Sequence, residues 1–444
     1  MTCKKQTGLD PRMLRRHRVG AETCAVPRTR AEPSRARLAW AIAAAAACWI
    51  SAAQAAGPTT PWVEAWYSAP VAPEPIWSCN QVRAFNDQTV RQVVRLEAGG
   101  NRIRVRLSNE LGLSPLKVSE VRVALSSPNG VTEAATDDVV TFSGKDNALI
   151  EPGKARVSDP VDLKVRRFQN LAISIYFSGQ VYPSGHLHQL LLSPSGDHAA
   201  ESVWAQAHIE QAPAIVSGVE VEPTAARHVL VAFGDSITEG WCATQGTHRD
   251  YPEQLARLLA QSPRSRQWVV INSGISGNQV LRDGAGPKAL SRFGRDALDI
   301  PGVRAIVLLE AINDIGGQDG PQGRHTLEAS TIIDAYRDLI RRAHARRLKI
   351  FLGTLTPYKG AGYWSPAGEK VREQVNAWIR QGRGFDGVIH FDRALRDPAH
   401  PLRFIGADQC GFNLHPNDAG YHLMAETVSR ELFARGAPLA SGGG

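Results

Sequence analysis

The sequence predicts an antiparallel β-sandwich followed by an α/β domain with a doubly wound parallel sheet. Two patterns in the 444 residues indicate this fold class. From about residue 60 to 220, apolar and polar residues alternate in short runs, as in antiparallel strands with one buried face. After residue 228, short continuous apolar runs alternate with helical patterns, as in parallel strands covered on both faces. We therefore assign a leader to residues 1–55, the sandwich to 56–222 and the α/β domain to 223–440.

The first 55 residues are typical of an export signal. Basic residues precede the apolar stretch LAWAIAAAAACWISAAQAA, and Ala53-Gln54-Ala55 has the pattern of a cleavage site. The apolar stretch is short for a membrane span, although a retained anchor is the alternative. We expect an exported protein, periplasmic or secreted, without stable membrane insertion once the leader is removed.

The basic charge of the chain lies almost entirely in this leader. The formal net charge is +8, and residues 1–55 hold ten Lys and Arg residues against three acidic ones. The exported part is therefore close to neutral, and its overall charge does not support binding to nucleic acid.

Of the six cysteines, three lie in the leader, and the exported part keeps Cys79, Cys242 and Cys410. An oxidising compartment permits one disulfide among them. Neither a C-x-x-C motif nor a His/Cys cluster at metal-binding spacing is present, so we expect no metal.

The strand pattern of the first half is clearest in NRIRVRLSN, residues 101–109. Its apolar residues fall on one face and its three arginines on the other. The arginine face is either a solvated face or a surface for an acidic polysaccharide. NLAISIYF, residues 170–177, has a similar alternation, and VEVEPTAARH, residues 219–228, is the predicted linker.

The second half alternates predicted strands with predicted helices. The strands are HVLVAF, WVVIN, VRAIVLLE, LKIFLGT and DGVIHF, and the main helices are DYPEQLARLLAQ, TLEASTIIDAYRDLIRRAHARR and EKVREQVNAWIRQ. Ligands of such sheets bind beyond the carboxyl ends of the strands. VAFGDS, residues 231–236, stops at one of these ends, where a glycine permits a sharp turn and exposes the hydroxyl of Ser236.

A serine becomes a nucleophile only with a base, a group that orients the base, and donors for an oxyanion. Here the chain resembles the SGNH family of serine hydrolases, also called GDSL esterases, over roughly residues 228–436. FGDSIT, INSGISGNQV, LLEAINDIGG and NLHPNDAGYHLMA are similar to the four sequence blocks of the family and occur in its order. The resemblance implies an α/β/α catalytic fold.

The resemblance also implies the roles of individual residues. Ser236 would be the nucleophile and His415 the general base. The oxyanion donors would be the Ser236 and Gly277 N–H groups and the Asn313 side chain, while Asn417 would open the last helix. Neither a metal nor an organic cofactor would be required.

The sequence departs from the family pattern at two positions. Ala311 stands where the third block usually has glycine, which is tolerable if its φ stays negative. Phe412 stands where the family has an aspartate three residues before the base. Asp408 is the nearest upstream carboxylate and our candidate for the acid; the alternative is a Ser–His dyad oriented by a backbone carbonyl.

Two cysteines flank the candidate site. A disulfide between Cys242 and Cys410 would join the nucleophile loop to the histidine loop and could bring Asp408 to His415. Asp235 is expected to hold the turn through backbone N–H groups. The aromatic residues on nearby predicted loops would form a sugar or acyl platform or cover the core: Trp241, Tyr358, Tyr363 and Trp364.

The first half, in stretches such as QTVRQVVRLEAGG, also looks like the β-rich extension of family members described as arylesterases or as acetylxylan esterase-like. This resemblance implies hydrolysis of short acyl esters, above all acetyl esters, on small molecules or polysaccharides. The alternatives are a lipase or lysophospholipase, a polysaccharide O-acyltransferase, and a carbohydrate-binding protein with an inactive centre.

Overall fold

The computed structural model describes residues 62–72, 83–317 and 327–440. The predicted leader and Cys79 lie outside these residues. Within the described ranges, no helix has both the length and the apolar character needed to cross a membrane.

The chain up to Glu222 forms antiparallel sheets, which confirms the predicted β-rich first half. Its strands are β1 Val63–Tyr67, β2 Gln88–Arg95, β3 Arg102–Asn109, β4 Leu116–Val118, β5 Glu120–Ser126, β6 Asp138–Val139, β7 Ala148–Ile150, β8 Lys154–Val157, β9 Asn170–Phe177, β10 His186–Ser195, β11 His208–Ala214 and β12 Val216–Glu222. They pair as a four-stranded sheet (β1-β12-β3-β8), a six-stranded sheet (β11-β10-β2-β9-β5-β6) and a pair (β4-β7).

The arginine face of β3 is neutralised by ion pairs. The three apolar residues of this strand are fully buried, as predicted. The arginines pair as follows: Arg102 with Glu222, Arg104 with Glu220, and Arg106 with Glu110. Because two of these glutamates lie on the adjacent β12, the face is a cross-strand ion-pair ladder and offers little free positive charge.

The predicted linker at residues 219–228 is wrong in its first half, because residues 219–222 belong to β12. This strand lies between β1 and β3 in the four-stranded sheet. Val219 and Val221 are completely buried while Glu220 and Glu222 face the arginines of β3. The Val-Glu alternation is thus a strand pattern, and only residues 223–227 connect the two sheet systems.

The second half forms a five-stranded parallel sheet covered by helices. Its strands are β13 His228–Gly234, β14 Trp268–Gly274, β15 Val303–Leu309, β16 Lys349–Gly353 and β17 Gly387–Ile389. The helices are α1 Ser236–Glu239, α2 Tyr251–Gln261, α3 Ala289–Phe293, α4 Ile312–Gly316, α5 Ala329–Ala345, α6 Pro366–Arg380, α7 Phe391–Leu395 and α8 Asp418–Val428, with short 3-10 or π turns at Gly294–Leu298, Gly406–Asp408 and Ser429–Phe433; a further 3-10 turn, Ala134–Thr136, belongs to the first half. The predicted doubly wound α/β fold is confirmed.

The strand order β14-β13-β15-β16-β17 places the topological switch point at β13. The next strand in sequence lies on one side of β13 and the one after it on the other side. The connections therefore leave β13 in opposite directions, which opens a crevice beyond its carboxyl end. Ser236 follows at this end.

Polar contacts hold the antiparallel strands against the α/β part. Arg167 donates to the carbonyl oxygens of Ala256 and Trp268, each at 3.0 Å. The Tyr67 hydroxyl donates to Asp296 Oδ1 at 2.7 Å. The buried apolar side chains of both parts form one continuous cluster. The antiparallel strands can therefore contribute walls to sites of the α/β part.

Candidate active site

The turn that carries Ser236 depends on a close backbone approach. A Cβ on Gly234, the last residue of β13, would lie 2.2 Å from the Leu309 carbonyl oxygen and from Thr238 Oγ1, so only glycine fits. Asp235 caps α1 by accepting from the Ile237 N–H at 2.9 Å, the holding role expected for it. Ser236 is thereby fixed as the first residue of α1.

Ser236 and His415 are in direct contact. Ser236 Oγ lies 2.8 Å from His415 Nε2 although the residues are 179 positions apart in sequence. His415 precedes α8, and Asn417 caps that helix by accepting from the Ala419 and Gly420 N–H groups at 3.0 and 3.1 Å. The start of α8 thus fixes the imidazole next to the hydroxyl, the geometry that a nucleophile and its base require.

The other nitrogen of the imidazole, Nδ1, is buried and has no hydrogen-bond partner among the described residues. Burial lowers the pKa of His415 to about 4, and the negative charge of Glu239 opposes this shift only in part. The imidazole is therefore neutral at neutral pH and available to accept a proton. Among the described residues, no carboxylate is hydrogen-bonded to His415 as the third member of a triad. Ser236 and His415 therefore form a pair.

The structure does not bring Asp408 to His415, contrary to our expectation. Asp408 ends the turn Gly406–Asp408, and its carbonyl oxygen accepts from the Asn417 N–H at 3.1 Å. The Cys410 N–H in turn donates to the His415 carbonyl at 3.2 Å. This local pairing aligns Asp408 with Asn417 and Cys410 with His415, which explains why the carboxylate is not on the imidazole.

The predicted disulfide between Cys242 and Cys410 is confirmed, with a Cα–Cα distance of 6.2 Å. Two further contacts join the same segments: the Thr244 N–H donates to Asp418 Oδ1 at 2.8 Å, and the Tyr421 hydroxyl donates to the Trp241 carbonyl at 2.6 Å. The nucleophile loop and the start of α8 are thus cross-linked covalently and by hydrogen bonds.

The two sulfur atoms and a ring nitrogen of His415 lie within 4.8 Å of one another, a spacing that a metal could bridge. Zinc binds cysteine as thiolate, however, and sulfur atoms joined in a disulfide offer none. In the oxidised protein this cluster is therefore a structural cross-link beside the base.

The Asn313 side chain is oriented at both ends. Its Nδ2 donates to the Asn278 carbonyl at 3.0 Å, and its Oδ1 accepts from the Tyr363 hydroxyl at 3.2 Å. The other N–H of the amide has no acceptor among the described residues. Tyr363 therefore holds the amide in place, whereas the sequence suggested either a platform or a cover for the core.

The loop that contains Gly277 is fixed by Asp314. The Asp314 carboxylate accepts from the Val280 and Leu281 N–H groups at 2.7 and 2.9 Å. Burial raises its pKa to about 6, while these two N–H groups act in the opposite direction. Gly277 has a φ of 75°, which favours glycine. The dipeptide Asn313-Asp314 thus positions both candidate donor groups.

The backbone conformation of Ala311 also differs from the one expected from the sequence. Its φ is 104°, in the left-handed region, and not negative as expected from the sequence. Ala311 is the N-cap residue that precedes α4, two positions before Asn313. The chain must leave β15 and enter this short helix at once, so it adopts a glycine conformation with an alanine and stores strain at the site.

Arg292 is a site residue that sequence analysis missed. Its side chain is fully buried and donates to the carbonyl oxygens of Gly234 at 2.8 Å and Ser273 at 2.9 Å, and to Asn278 Oδ1 at 2.8 Å. It therefore joins the ends of β13 and β14 to the Gly277 loop. No local pattern distinguishes it from the exposed arginines of the chain.

The other aromatic candidates differ in their burial and in their contacts. Tyr358 is completely buried, and the Trp364 Nε1–H donates to Glu369 Oε2 at 3.1 Å, so both belong to the packing of α6. Trp241 is 55% exposed, with its ring centroid 6.1 Å from that of His415. Of the four, Trp241 is the exposed ring beside the Ser236–His415 pair.

Residues 232–423 match the sequence model described as the GDSL-like Lipase/Acylhydrolase family. This range includes the first three predicted site blocks and the fourth as far as Leu423. No curated protein matches the chain.

Three solved structures illustrate what the chain is similar to. A lipolytic protein of the G-D-S-L family from Desulfitobacterium hafniense has 20% identity, with 46% of this chain and 99% of that chain covered and a TM-score of 0.36. An acetyl xylan esterase, AlAXEase, has 18% identity, coverage of 45% and 97%, and a TM-score of 0.35. A member of the lipolytic protein G-D-S-L family from Veillonella parvula has 21% identity, coverage of 45% and 96%, and a TM-score of 0.32.

Proposed function

The chain belongs, through residues 232–423, to the GDSL-like lipase and acylhydrolase family of carboxylic ester hydrolases, and we propose that it removes short acyl groups, acetyl above all, from polysaccharides outside the cytoplasm. The observation that carries the proposal is the 2.8 Å contact of Ser236 Oγ with His415 Nε2. It supports a nucleophile and base poised for acyl transfer.

In the proposed reaction Ser236 Oγ attacks the ester carbonyl while His415 Nε2 takes its proton. The protonated imidazole then gives this proton to the leaving alcohol, and an acyl-enzyme remains. Water attacks the acyl-enzyme with His415 again as base and releases the acid. Among the described residues neither a carboxylate nor a backbone carbonyl is hydrogen-bonded to His415 Nδ1, so a Ser–His dyad has better support than an Asp408 triad, but without the backbone carbonyl expected to orient the ring.

The negative charge of the tetrahedral intermediate would be held by three donors. They are the backbone N–H groups of Ser236 and Gly277 and the free N–H of the Asn313 side chain. The fixed amide of Asn313 and the Asp314 anchor of the loop support this role, since donors held in advance need no reorganisation during the reaction.

Crowding near the candidate donors supports a small acyl group. The Tyr363 ring packs so closely on Gly316 that a Cβ there would lie 2.0 Å from it, and its hydroxyl reaches Asn313. Export is supported by the leader pattern and by the Cys242–Cys410 disulfide, because disulfides persist mainly in oxidising compartments.

The test is release of p-nitrophenol from acetate, butyrate and octanoate esters by the protein without residues 1–55. We expect turnover with the acetate ester, lower rates with longer chains, and loss of turnover in Ser236→Ala. Ser291→Ala, which removes an exposed hydroxyl on α3, is the matched control and should behave as the parent.

Asp408→Ala separates the dyad from a triad. A dyad predicts a change of less than about threefold, whereas loss of a triad acid costs roughly four orders of magnitude. Preference for the octanoate ester would favour a lipase over a short-chain esterase. Acyl transfer to an added sugar in excess of hydrolysis would identify an acyltransferase.

A further inference from the structure

A cavity of about 720 Å³ lies between the antiparallel strands and the turn that follows the nucleophile. β2 and β10 pair as far as Gln92 and Leu190, and the residues just beyond, 93–95 and 186–189, line the cavity. The opposite wall includes residues 239–246. The cavity therefore opens where two strands separate, and its volume is within the range of small-molecule sites, roughly 300–1,000 Å³.

The cavity adjoins the Ser236–His415 pair. Trp241 and Cys242 form part of its wall, and both are close to His415: the Trp241 ring centroid is 6.1 Å from the imidazole centroid, and the Cys242 sulfur is within 4.8 Å of a ring nitrogen. Phe412, 67% exposed, lines the same side. Ser236 and His415 do not themselves line the cavity, so an ester on a molecule bound there has to reach Ser236 past Trp241.

The buried charges of the wall are paired with one another. Arg95 contacts Glu97 at 3.2 Å and also pairs with Glu253, while His186 pairs with Glu239. A cation already matched by a carboxylate gives a charged ligand little further attraction, and binding one would disturb the pair. The buried part of this wall therefore favours a neutral ligand, whereas Arg249, an exposed residue that also lines the cavity, has no carboxylate partner among the described residues.

Two neutral amides stand side by side on the strand wall. Gln189 of β10 and Gln211 of β11 are direct cross-strand partners, and both are exposed and line the cavity. Each carboxamide donates and accepts hydrogen bonds, so together they match vicinal hydroxyl groups, which also do both.

Aromatic and neutral polar groups line the cavity from the opposite face of β10, because His188 and Gln189 are successive residues of this strand. The Trp66 and His188 ring centroids are 5.6 Å apart, and His188 Nε2 lies 2.8 Å from Ser68 Oγ. Burial, together with the neighbouring charge of His186, lowers the pKa of His188 to about 3, so this imidazole is neutral. Apolar ring faces next to hydrogen-bonding groups suit sugar rings, which have both kinds of surface.

We propose that this cavity binds the neutral sugar chain that carries the ester, an inference that rests on the proposed ester hydrolysis. The acyl group lies at Ser236, and neighbouring sugar units lie against β10 and β11 in contact with Gln189 and Gln211. The antiparallel strands thereby supply the polysaccharide specificity of the hydrolase.

The test compares kcat/KM for acetylated xylo-oligosaccharides and for p-nitrophenyl acetate. Gln189→Ala/Gln211→Ala should lose about tenfold or more with the oligosaccharides, because two hydrogen bonds are removed, and change less than twofold with the small ester, which does not reach the strand wall. Gln381→Ala, at the exposed C-cap of α6, is the matched control and should change neither value.

Each other outcome overturns the inference. Parent-like kcat/KM of the double variant with the oligosaccharides excludes the cavity as their site. Equal losses with both substrates show that the glutamines act through the fold. A parent that cleaves p-nitrophenyl acetate but not the oligosaccharides refutes sugar binding and leaves ester hydrolysis intact. Absence of p-nitrophenol release above the Ser236→Ala background would instead defeat the proposed function itself.

Discussion

The Nε2 atom of His186, a residue of β10, lies 3.0 Å from the Oε1 atom of Glu239, the last residue of α1. The Nδ1 atom of His186 lies 3.1 Å from the Ala69 carbonyl. Both partners are acceptors, so both ring nitrogens must donate and the imidazole must be charged. An ion pair thus joins the antiparallel strands to the helical turn that begins with Ser236.

This ion pair predicts a pH-dependent contribution to stability. Burial alone would lower the pKa of His186, but the charge and hydrogen bond of Glu239 outweigh burial, so the pKa is raised. Burial alone would raise the pKa of Glu239, but the charge and hydrogen bond of His186 outweigh burial, so the pKa is lowered. The contribution is therefore complete between about pH 4.5 and 6.5, and is lost as pH rises through the raised pKa of His186 or falls through the lowered pKa of Glu239.

We expect His186→Gln to lower the free energy of unfolding by about 1.5–3 kcal/mol at pH 6 and by less at pH 9. Urea unfolding at both pH values measures the difference. Glu239→Gln should show the same pH dependence, and the double variant should lose less than the sum of the two single variants. An equal loss at pH 6 and pH 9 would contradict a charged imidazole.

The lowered pKa of His415 predicts activity in mild acid. Because a base must be neutral and the pKa of His415 is about 4, kcat/KM for p-nitrophenyl acetate should stay constant down to about pH 5 and fall to half near pH 4. A pH–rate profile from pH 3.5 to 8, with intrinsic fluorescence to verify folding, measures this. In Glu239→Gln the half-point should move lower, since Glu239 raises this pKa; a half-point near 6.5 in the parent would disprove the prediction.

Ala311→Gly should cost less stability than a glycine placed inside a regular helix. The left-handed φ of 104° costs an alanine about 1–2 kcal/mol, whereas the flexibility of glycine in the unfolded chain costs about 0.4–1 kcal/mol and loss of the fully buried methyl group about 0.8 kcal/mol, so the net change should lie within about 1 kcal/mol of zero. The midpoint of urea unfolding measures it. Ala377→Gly, at an exposed position inside α6, is the matched control and should lose about 1 kcal/mol. A loss at Ala311 at least as large as the loss at Ala377 would show that Ala311 is not strained.

Substitutions of Asn313 and of Tyr363 should both lower kcat, but by different amounts. Asn313→Ala removes a proposed oxyanion donor and should lower kcat about 10²- to 10³-fold with little change in KM. Tyr363→Phe removes only the hydroxyl that holds the amide, so kcat should fall about tenfold. Tyr182→Phe, at an exposed tyrosine, serves as control. Changes confined to KM would assign Asn313 to substrate binding instead.

Loss of the Cys242–Cys410 disulfide should lower both stability and kcat. The bridge spans 168 residues, for which the chain-entropy relation gives an upper limit of roughly 5 kcal/mol. The double Cys→Ser variant also loses the covalent link beside His415, so the Ser236–His415 contact should be populated less. Melting temperature and kcat measure these effects. Mass mapping should show both thiols alkylated only after reduction; alkylation without reductant would exclude the bridge.

Much of the α/β part was predictable because each element is encoded by neighbouring residues. The five apolar runs after residue 228 are the five parallel strands, and the contact of Ser236 with His415 joins two of the recognised blocks. The linker prediction failed at residues 219–222 since the glutamates of β12 look like a polar connection until their arginine partners on β3 are known.

The order of the elements and the residue types at the ends of the strands could be predicted from the sequence, which also favoured a Cys242–Cys410 disulfide over two unpaired thiols. Three features depend on the packing of the folded chain: the backbone pairing of Asp408 with Asn417, the positive φ of Ala311, and the contacts by which Arg292 joins the strand ends. The reason is physical: hydrophobic periodicity is a local property, whereas a side chain's hydrogen-bond partner and a turn's φ depend on what packing brings near from distant parts of the chain.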